Sequence, residues 1–254
     1  GGLVARGRDP ATIRVAEPVQ PLRDALRQDF GVQVFDDGAA AVQGAATWVL
    51  ATKPQVLRAV CEGLAAQAQV SRPLVVSIAA GITAAQVERW LGGALAVVRT
   101  MPNTPALLGA GVTGLHATAR VDAAGRTLAE GLLAAAGETV WIEDEAQMDA
   151  VTAVSGSGPA YVFLLAEAMI EAGIAEGLPG EAARTLALQT VLGAARMLTE
   201  SHVEAGELRR RVTSPNGTTQ AALDAFEAGG FRRLVASAVH AARVRGAELS
   251  ADND

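Results

Sequence analysis

Short apolar runs alternate with longer mixed stretches along the first half of the chain. The runs predict strands at 13–16, 32–35, 48–51, 74–78 and 95–100, and the stretches between them predict helices at 18–28, 38–44, 54–67 and 83–91. The run at 48–51 shows no polar alternation, which is typical of a strand buried on both faces. Strands that alternate with helices favour a parallel sheet with right-handed crossovers.

The pattern changes after a strand, a helix and a strand at 112–117, 122–136 and 139–142. From Met148 onward only helical patterns remain, chiefly at 157–175, 180–200, 218–228 and 231–249. The helix at 157–175 is apolar nearly all round and must therefore be buried. Because about 100 residues have difficulty burying several such helices, we expect a dimer with interleaved helices. The predicted fold is α/β, with a Rossmann-like parallel-sheet domain at 1–147 and an all-helical dimerisation domain at 148–254.

The opening of the chain bears on dinucleotide binding. Doubly wound dinucleotide folds begin with a strand, a glycine-rich turn and a helix, whereas Gly1–Gly7 is typical of the last turns of a first crossover helix. We recognise no G-x-G-x-x-G turn between a strand and a helix in the chain, so we expect about 15–20 further residues upstream. The alternative is a protein that binds no dinucleotide. Against it stands Glu17, which follows the strand at 13–16, where an acid bonds the ribose 2′-hydroxyl; a surface glutamate would look the same.

Three short motifs carry candidate chemistry. Residues 98–105 leave a strand at its carboxyl end, where open sheets bind ligands, and their alternative is a rigid turn. Residues 154–161 combine glycines with serines ahead of a long helix, and their alternative is helix capping at a domain junction. Residues 212–219 lead into a helix whose free N–H groups suit a small carboxylate, and their alternative is a capping turn that binds nothing.

Taken together, these and two further motifs resemble the pyrroline-5-carboxylate reductase family. Ala51–Gln55 resembles the pattern A-V-K-P-Q, Ser77–Thr83 resembles S-I-A-A-G-I-T, and Arg99–Leu107 matches R-x-M-P-N-T-P-A-L. Asp149–Tyr161 matches D-A-V-T-A-x-S-G-S-G-P-A-Y, and Val212–Thr219 resembles V-T-S-P-G-G-T-T. The matches keep their order and spacing, and the resemblance covers essentially the whole chain.

The resemblance implies an enzyme that reduces 1-pyrroline-5-carboxylate to proline with hydride from NADPH or NADH. It implies a homodimer of interlocking helical domains, and family dimers often assemble into decamers. The implied substrate residues are Ser214, Gly217, Thr218 and Thr219, with the Thr219 hydroxyl bonding the ring nitrogen while water delivers the proton. The implied cofactor residues are Glu17, Ala51, Thr52, Lys53, Pro54, Ile78, Ala79, Ala80 and Asn103. Because of Glu17, we expect NADH to be used at least as well as NADPH.

The sequence departs from the family pattern at several places. Asn216 stands where the substrate loop usually has glycine, and asparagine is the best substitute if that position needs a positive φ. Thr52 replaces a usual valine and Gly38 a usual asparagine. Glu204-Ala205 stands for a usual H-P, and Arg210 for a common aspartate. These departures concern details of cofactor contact and assembly.

Composition narrows the classes of function. The net charge of −6 and a pI near 5.2 argue against nucleic-acid binding. Cys61 is the only cysteine, so neither an internal disulfide nor a Cys/His metal site is expected. We find no apolar run of about 18 residues, as a membrane span needs, and no secretory signal, so we expect a soluble cytoplasmic protein.

Two alternatives to this reductase remain open. A related β-hydroxyacid dehydrogenase or imine reductase would be expected to carry a lysine on the helix at 157–175, but Lys53 is the only lysine in the chain. A non-catalytic scaffold would explain the missing glycine-rich turn. A scaffold has no reason, however, to keep the motif at 212–219.

Overall fold

The structure is a computed structural model that describes residues 1–252, and it forms two compact units. The first contains Gly1–Ser157 together with the C-terminal segment from Ala242, and the second contains Gly158–Ala241. The units therefore differ from the domains predicted at 1–147 and 148–254 in two places. The division falls ten residues later, after Ser157 instead of after residue 147, and the C-terminal segment belongs to the first unit.

The first unit alternates strands and helices, as the pattern predicted. Its strands are β1 Arg14–Ala16, β2 Gln33–Phe35, β3 Thr47–Leu50, β4 Leu74–Ser77, β5 Ala96–Met101, β6 Gly111–Ala117 and β7 Gly137–Trp141. Its helices are α1 Gly2–Ala5, α2 Gln20–Phe30, α3 Gly38–Ala41, α4 Pro54–Ser71, α5 Ala84–Trp90, α6 Ala123–Ala134 and α7 Met148–Val151. Most boundaries lie within a few residues of the predicted ones. The largest differences are α3, which ends three residues early, and α4, which runs four residues longer.

The strands form two hydrogen-bonded sheets. Strands β1 and β2 pair in parallel, and a second sheet has the order β3-β4-β5-β6-β7. All neighbours in the second sheet are parallel except β5 and β6, which are antiparallel. The predicted parallel sheet is therefore confirmed, with one antiparallel pair of neighbours that the strand pattern did not indicate. The link at 102–110 contains only a 3-10 turn, Thr104–Leu108, and a parallel crossover needs about a dozen residues.

The main core lies between the second sheet and α4 and α5. Leu57, Cys61, Leu64 and Ala68 fall on one face of α4 and pack with buried residues of β3 and β4. Pro54 occupies the first turn of α4, where its missing N–H costs nothing. The prediction that β3 is buried on both faces is wrong. Trp48 and Leu50 are buried, but Val49, which points to the opposite face, is 51% exposed.

The letters G-x-G-x-x-G do occur at Gly109–Gly114, but in an unsuitable place. Gly109 ends the 3-10 turn, and the rest of the segment enters β6. Gly114 is packed against a helix, because a Cβ there would lie 2.6 Å from Val151 Cγ1. The glycines lead into a strand instead of a helix, so the segment lacks the strand–turn–helix geometry that binds a pyrophosphate.

The second unit is helical. It contains α8 Gly158–Ala175, α9 Gly180–Glu200, α10 Ala205–Arg211 and α11 Thr218–Ala228, and α12 Phe231–Asp252 begins in it. The prediction of no strand after Met148 is confirmed within the described residues. Helix α10 was not predicted individually.

Helix α8 leaves its apolar side chains uncovered in the single chain. Phe163 and Leu164 are 67% and 66% exposed, and Ala166 is its one buried residue. An 18-residue window of the helical segment Glu145–Ala175 has a mean hydropathy of 1.3, and the segment is long and apolar enough to cross a membrane by length and composition. The prediction of no such segment is therefore wrong by that criterion, which helices buried in soluble proteins also meet.

Candidate active site

Strand order gathers most of the predicted cofactor residues at one edge of the second sheet. Strands β3, β4 and β5 are neighbours and parallel, so their carboxyl ends meet at the same edge. The segments that follow these ends are 51–54, 78–80 and 102–103. Glu17 follows β1 and therefore belongs to the other sheet of the same unit.

The loop after β3 leads into a long helix with an open N-terminus. Lys53 is the N-cap residue of the 18-residue helix α4, and no side chain caps this helix. Ala51 and Lys53 are exposed, whereas Thr52 and Pro54 are half-buried. The helix dipole and the lysine together make this position favourable for an anionic group.

Thr52 carries an unsatisfied polar atom. Its hydroxyl is buried and has no hydrogen-bond partner within residues 1–252. A buried hydroxyl without a partner costs free energy. The family position is usually valine, so this atom is a distinctive feature of the loop in this chain.

The end of β4 is held from the neighbouring strand. The Thr100 hydroxyl donates to the Ser77 carbonyl at 3.0 Å, and both residues are buried. Ala79 is buried, Ile78 is half-buried and Ala80 is exposed. Gly81 then takes a φ of 69°, a left-handed conformation that favours glycine, before α5 begins. A small exposed residue between fixed neighbours lets a flat ligand approach the backbone closely.

Glu17 is half-buried and already makes a local contact. Its Oε1 accepts the N–H of Val19 at 2.8 Å, which orders the entry to α2. Arg23, on the first turn of α2, donates from Nη1 to the Glu17 carbonyl at 2.6 Å. The predicted ribose-binding acid therefore has a guanidinium beside its main chain, a neighbour that sequence reasoning did not identify.

Asn103 bridges three segments of the first unit. Its Oδ1 accepts the N–H of Val112 at 3.0 Å, and its Nδ2 donates to the Ser155 carbonyl at 3.1 Å. Ser155 lies in a π-helical turn, Thr152–Gly156, that follows α7. Both amide atoms of Asn103 are therefore engaged with protein groups.

The buried Arg99 of β5 forms an ion cluster with two half-buried carboxylates. Arg99 is 5% exposed and donates to Glu145 Oε1 at 3.3 Å and to Asp149 Oδ1 at 3.4 Å. Glu145 Oε1 also accepts the N–H of Ala84, at the start of α5. The cluster ties β5, α5 and α7 together. The sequence did not predict this cluster, because Glu145 and Asp149 lie 46 and 50 residues from Arg99 along the chain. The one indication in the sequence was an arginine within an apolar strand pattern.

The predicted substrate residues form a single turn in the second unit. Asn216 has a φ of 59°, so the expectation that this position tolerates asparagine because φ is positive is confirmed. Space at Gly217 is tight, because a Cβ would lie 2.8 Å from Ser214 Oγ and 3.1 Å from the Ser214 carbonyl oxygen. Its N–H donates to the Ser214 carbonyl at 3.0 Å, which closes the turn.

Helix α11 starts immediately after this turn with free donors. Gly217 is its N-cap residue, and no side chain caps it. The N–H groups of Thr218 and Thr219 therefore have no intrahelical acceptor. Thr218 and Ser214 are exposed, and Thr219 is half-buried. The arrangement presents backbone donors and hydroxyls to an anion of carboxylate size.

Other chemistries find less support among the described residues. Within residues 1–252 no group of three or more His, Cys, Asp or Glu could hold a metal ion. Burial raises the pKa of the Cys61 thiol to about 12, so the side chain is a poor nucleophile.

Comparison with known proteins identifies the family of this chain. A family model for pyrroline-5-carboxylate reductase dimerisation matches residues 145–249, and one for coenzyme F420-dependent NADP oxidoreductases matches residues 1–81. A pyrroline-5-carboxylate reductase of Pseudomonas aeruginosa is 53% identical, over 98% of this chain and 91% of its own length. The chain belongs to the pyrroline-5-carboxylate reductase family. The family predicted from the motifs is therefore confirmed.

Solved structures of the family agree with the fold. The pyrroline-5-carboxylate reductase of Coxiella burnetii superposes with a TM-score of 0.94 at 42% identity, covering 98% of this chain and 92% of that one. The Plasmodium falciparum enzyme, solved with NADP bound, has a TM-score of 0.78 at 29% identity and covers 86% and 82% of the two chains. A prephenate dehydrogenase of A. aeolicus, at 14% identity and a TM-score of 0.51, shares the fold alone.

Proposed function

We propose that this member of the family reduces 1-pyrroline-5-carboxylate to L-proline, the last step of proline biosynthesis, with NADPH or NADH as the hydride donor. The observation that carries the proposal is the turn at Ser214–Thr219. It leaves backbone donors free at the start of an 11-residue helix and has little space for a side chain at Gly217. The 53% identity to a named pyrroline-5-carboxylate reductase supports the same reaction.

The substrate carboxylate is the group that this turn suits. Free N–H groups at a helix N-terminus bind anions through hydrogen bonds and the helix dipole. The N–H groups of Thr218 and Thr219 and the exposed Ser214 hydroxyl supply the donors. Gly217, which the family resemblance implies as a further N–H donor, contributes by its small size, because its N–H closes the turn.

Thr219 has the second substrate role. Its hydroxyl bonds the ring nitrogen and so fixes the face of the imine that receives the hydride. A threonine hydroxyl holds its proton too tightly to act as an efficient acid near neutral pH, so water delivers the proton to the amine. The residues of the turn therefore orient the substrate at near-attack geometry and leave proton transfer to solvent.

Most of the cofactor residues are assigned to the segments that follow the carboxyl ends of β3, β4 and β5. When bound, NADPH or NADH supplies the hydride. The residues present fit such a group, since Ala51, Thr52, Lys53 and Pro54 stand at the open N-terminus of α4 and the Thr52 hydroxyl has no partner within residues 1–252. Ile78, Ala79 and Ala80 follow the adjacent strand. Glu17 is assigned to the ribose 2′-hydroxyl, and Asn103 to the nicotinamide end of the site.

The exposed apolar helices support an assembly. We assign residues 148–254 to dimerisation and substrate binding and residues 1–147 to the dinucleotide. Phe163, Leu164 and their neighbours on α8 would then be covered by a second copy of the chain, in a cytoplasmic homodimer that can build a decamer. Light scattering of detergent-free protein tests this part, because a monomer, or protein that requires detergent, would contradict it.

The reaction is tested by mixing the purified protein with NADH and 1-pyrroline-5-carboxylate and following the loss of NADH absorbance. We expect NADH consumption that depends on the substrate and yields proline in equal amount. Consumption of NADH without proline, or none with either NADH or NADPH, would overturn the proposal.

A further inference from the structure

The Asn103 side chain links the loop after β5 to the π-helical turn. Its orientation is fixed by chemistry, since the Val112 N–H requires an oxygen and the Ser155 carbonyl requires an N–H. Exchanging the two amide atoms would place donor against donor and acceptor against acceptor. Asn103 is therefore a defined cross-link and not a side chain free to turn toward a ligand.

The Ser155 carbonyl needs this donor because of Pro159. In an α-helix, the N–H of one residue bonds the carbonyl four residues earlier. Ser155 lies before α8, and Pro159, in the first turn of α8, has no N–H that could reach back to the Ser155 carbonyl. The chain forms a π turn at Thr152–Gly156 just before α8, and the Asn103 amide supplies the missing hydrogen bond.

The π turn is also held sterically. A Cβ on Gly156 would lie 2.6 Å from Met101 Cε, so Met101, at the end of β5, packs directly on this glycine. Gly114 in β6 is equally close to Val151, which immediately precedes the turn. The turn is therefore fitted to the end of β5 and the middle of β6, and the Asn103 hydrogen bond sets its distance from the loop that follows β5.

We propose that Asn103 is a positioning residue that acts through Ser155. By replacing the N–H that Pro159 lacks, it keeps the loop Met101–Asn103 and the π turn in the one arrangement that supports hydride transfer. The inference rests on the proposed reductase function, and it deepens the assignment of Asn103 to the nicotinamide end of the site. A small displacement of such a loop can cost about 100-fold in rate.

Asn103→Asp is the sharpest variant, because it keeps the shape and the acceptor for Val112 but replaces the donor with a carboxylate oxygen. The matched control is Gln69→Glu. The Gln69 amide donates to the carbonyls of Leu91 and Gly93 at 2.9 and 2.7 Å, in the loop that precedes β5. Both variants place a carboxylate next to backbone carbonyls in the first unit. Only Asn103→Asp does so at the sheet edge where the carboxyl ends of β3, β4 and β5 meet.

We expect both variants to lower Tm by about 2–4 °C, as loss of a partly buried hydrogen bond does in a chain of this size. Only Asn103→Asp is expected to lower kcat, by about 10-fold or more, with the KM for NADH within about twofold of wild type. Equal kcat for the two variants, or a tenfold rise in the KM for NADH, would overturn the positioning role.

Pro159→Ala supplies the rescue. An alanine restores an N–H within the helix, so the Ser155 carbonyl no longer depends on Asn103. We compare the decreases in Tm and kcat that Asn103→Asp causes in two backgrounds. In the Pro159→Ala background, both decreases are expected to be less than half of those in wild type. Undiminished losses would show that the Ser155 contact is not what Asn103 provides. The Tm cycle needs no turnover, so it tests the link even if the wild-type protein reduces no 1-pyrroline-5-carboxylate.

Discussion

The end of β5 with its following loop and the turn at Ser214–Thr219 differ in whether their polar groups are bonded within the protein. In β5 and the loop after it, Asn103, Arg99 and the Thr100 hydroxyl are all bonded to protein groups. In the turn, the N–H groups at the start of α11 have no side-chain cap and the Ser214 hydroxyl is exposed. Satisfied groups hold a shape, whereas free donors bind a ligand. The first region therefore positions, and the second recognises an anion.

The largest effect is expected from a substitution that distorts the turn at Ser214–Thr219. In Gly217→Ala, the new Cβ would lie 2.8 Å from Ser214 Oγ, which can rotate away, and 3.1 Å from the Ser214 carbonyl oxygen, so the backbone of the turn must shift. We expect kcat/KM for 1-pyrroline-5-carboxylate to fall by about 100-fold. Gly63→Ala, on α4 with nothing within 4 Å of the new Cβ, is the control and is expected to keep full activity. Similar kinetics for the two variants would show that the turn is not part of the substrate site.

Removal of the Thr219 hydroxyl tests the second substrate contact. We expect Thr219→Ala to lower kcat about 10- to 100-fold, as loss of one hydrogen bond in a transition state does, and to leave the Kd for NADH unchanged. Thr219→Ser keeps a hydroxyl and is expected to recover most of the loss. The assigned role fails if the alanine variant loses NADH binding to the same degree, as measured by fluorescence titration.

Cofactor preference tests the role of Glu17, because Glu17 is the one predicted cofactor residue that carries a negative charge. We expect wild-type protein to use NADH at least as well as NADPH. Glu17→Gln is expected to raise the ratio of kcat/KM for NADPH to that for NADH by about 5- to 10-fold, because repulsion of the 2′-phosphate is removed. Arg23→Ala, which removes the neighbouring guanidinium, is expected to shift the ratio the other way. A ratio unmoved by Glu17→Gln would show that this carboxylate serves only to order Val19.

The smallest expected effect concerns the exception at the sheet edge, the unsatisfied Thr52 hydroxyl. We expect Thr52→Val to raise Tm by about 2–4 °C, since it removes a buried polar atom without a partner and keeps the shape. Thr100→Val removes a buried hydroxyl that bonds the Ser77 carbonyl, and it is expected to lower Tm. Thermal unfolding of the two variants without cofactor gives the comparison. Shifts of the same sign would mean that the Thr52 hydroxyl has a partner after all.

Local pattern predicted much of the fold because it reports which residues are buried and which end a helix. Helices 180–200 and 218–228 were predicted to the residue, since glycine or a turn motif marks their starts. The antiparallel β6 was missed because apolar runs indicate a strand but not its direction. The exposed face of β3 was missed because the same run is also compatible with a strand covered on one side only.

The candidate site was predictable where it is contiguous in sequence. The turn at Ser214–Thr219 carries its own conformational requirements, a positive φ at Asn216 and little space at Gly217, and both are visible as residue types. Contacts between distant segments were not predictable. Nothing in the sequence pairs Asn103 with Ser155, or Arg23 with the Glu17 carbonyl, because these bonds depend on how strands and helices pack.

The central claim is that free backbone N–H groups at the start of α11 hold the substrate carboxylate, and Thr218→Pro tests it most directly. Thr218 is the first residue of the helix, after an extended Gly217 with φ −83° and ψ 175°, and proline is tolerated at that position. The variant thus removes one N–H and leaves the helix intact, and Thr218→Ala controls for the lost side chain. The account predicts a KM for 1-pyrroline-5-carboxylate raised by about 10-fold or more in the proline variant alone. Equal KM values for the two variants would contradict it.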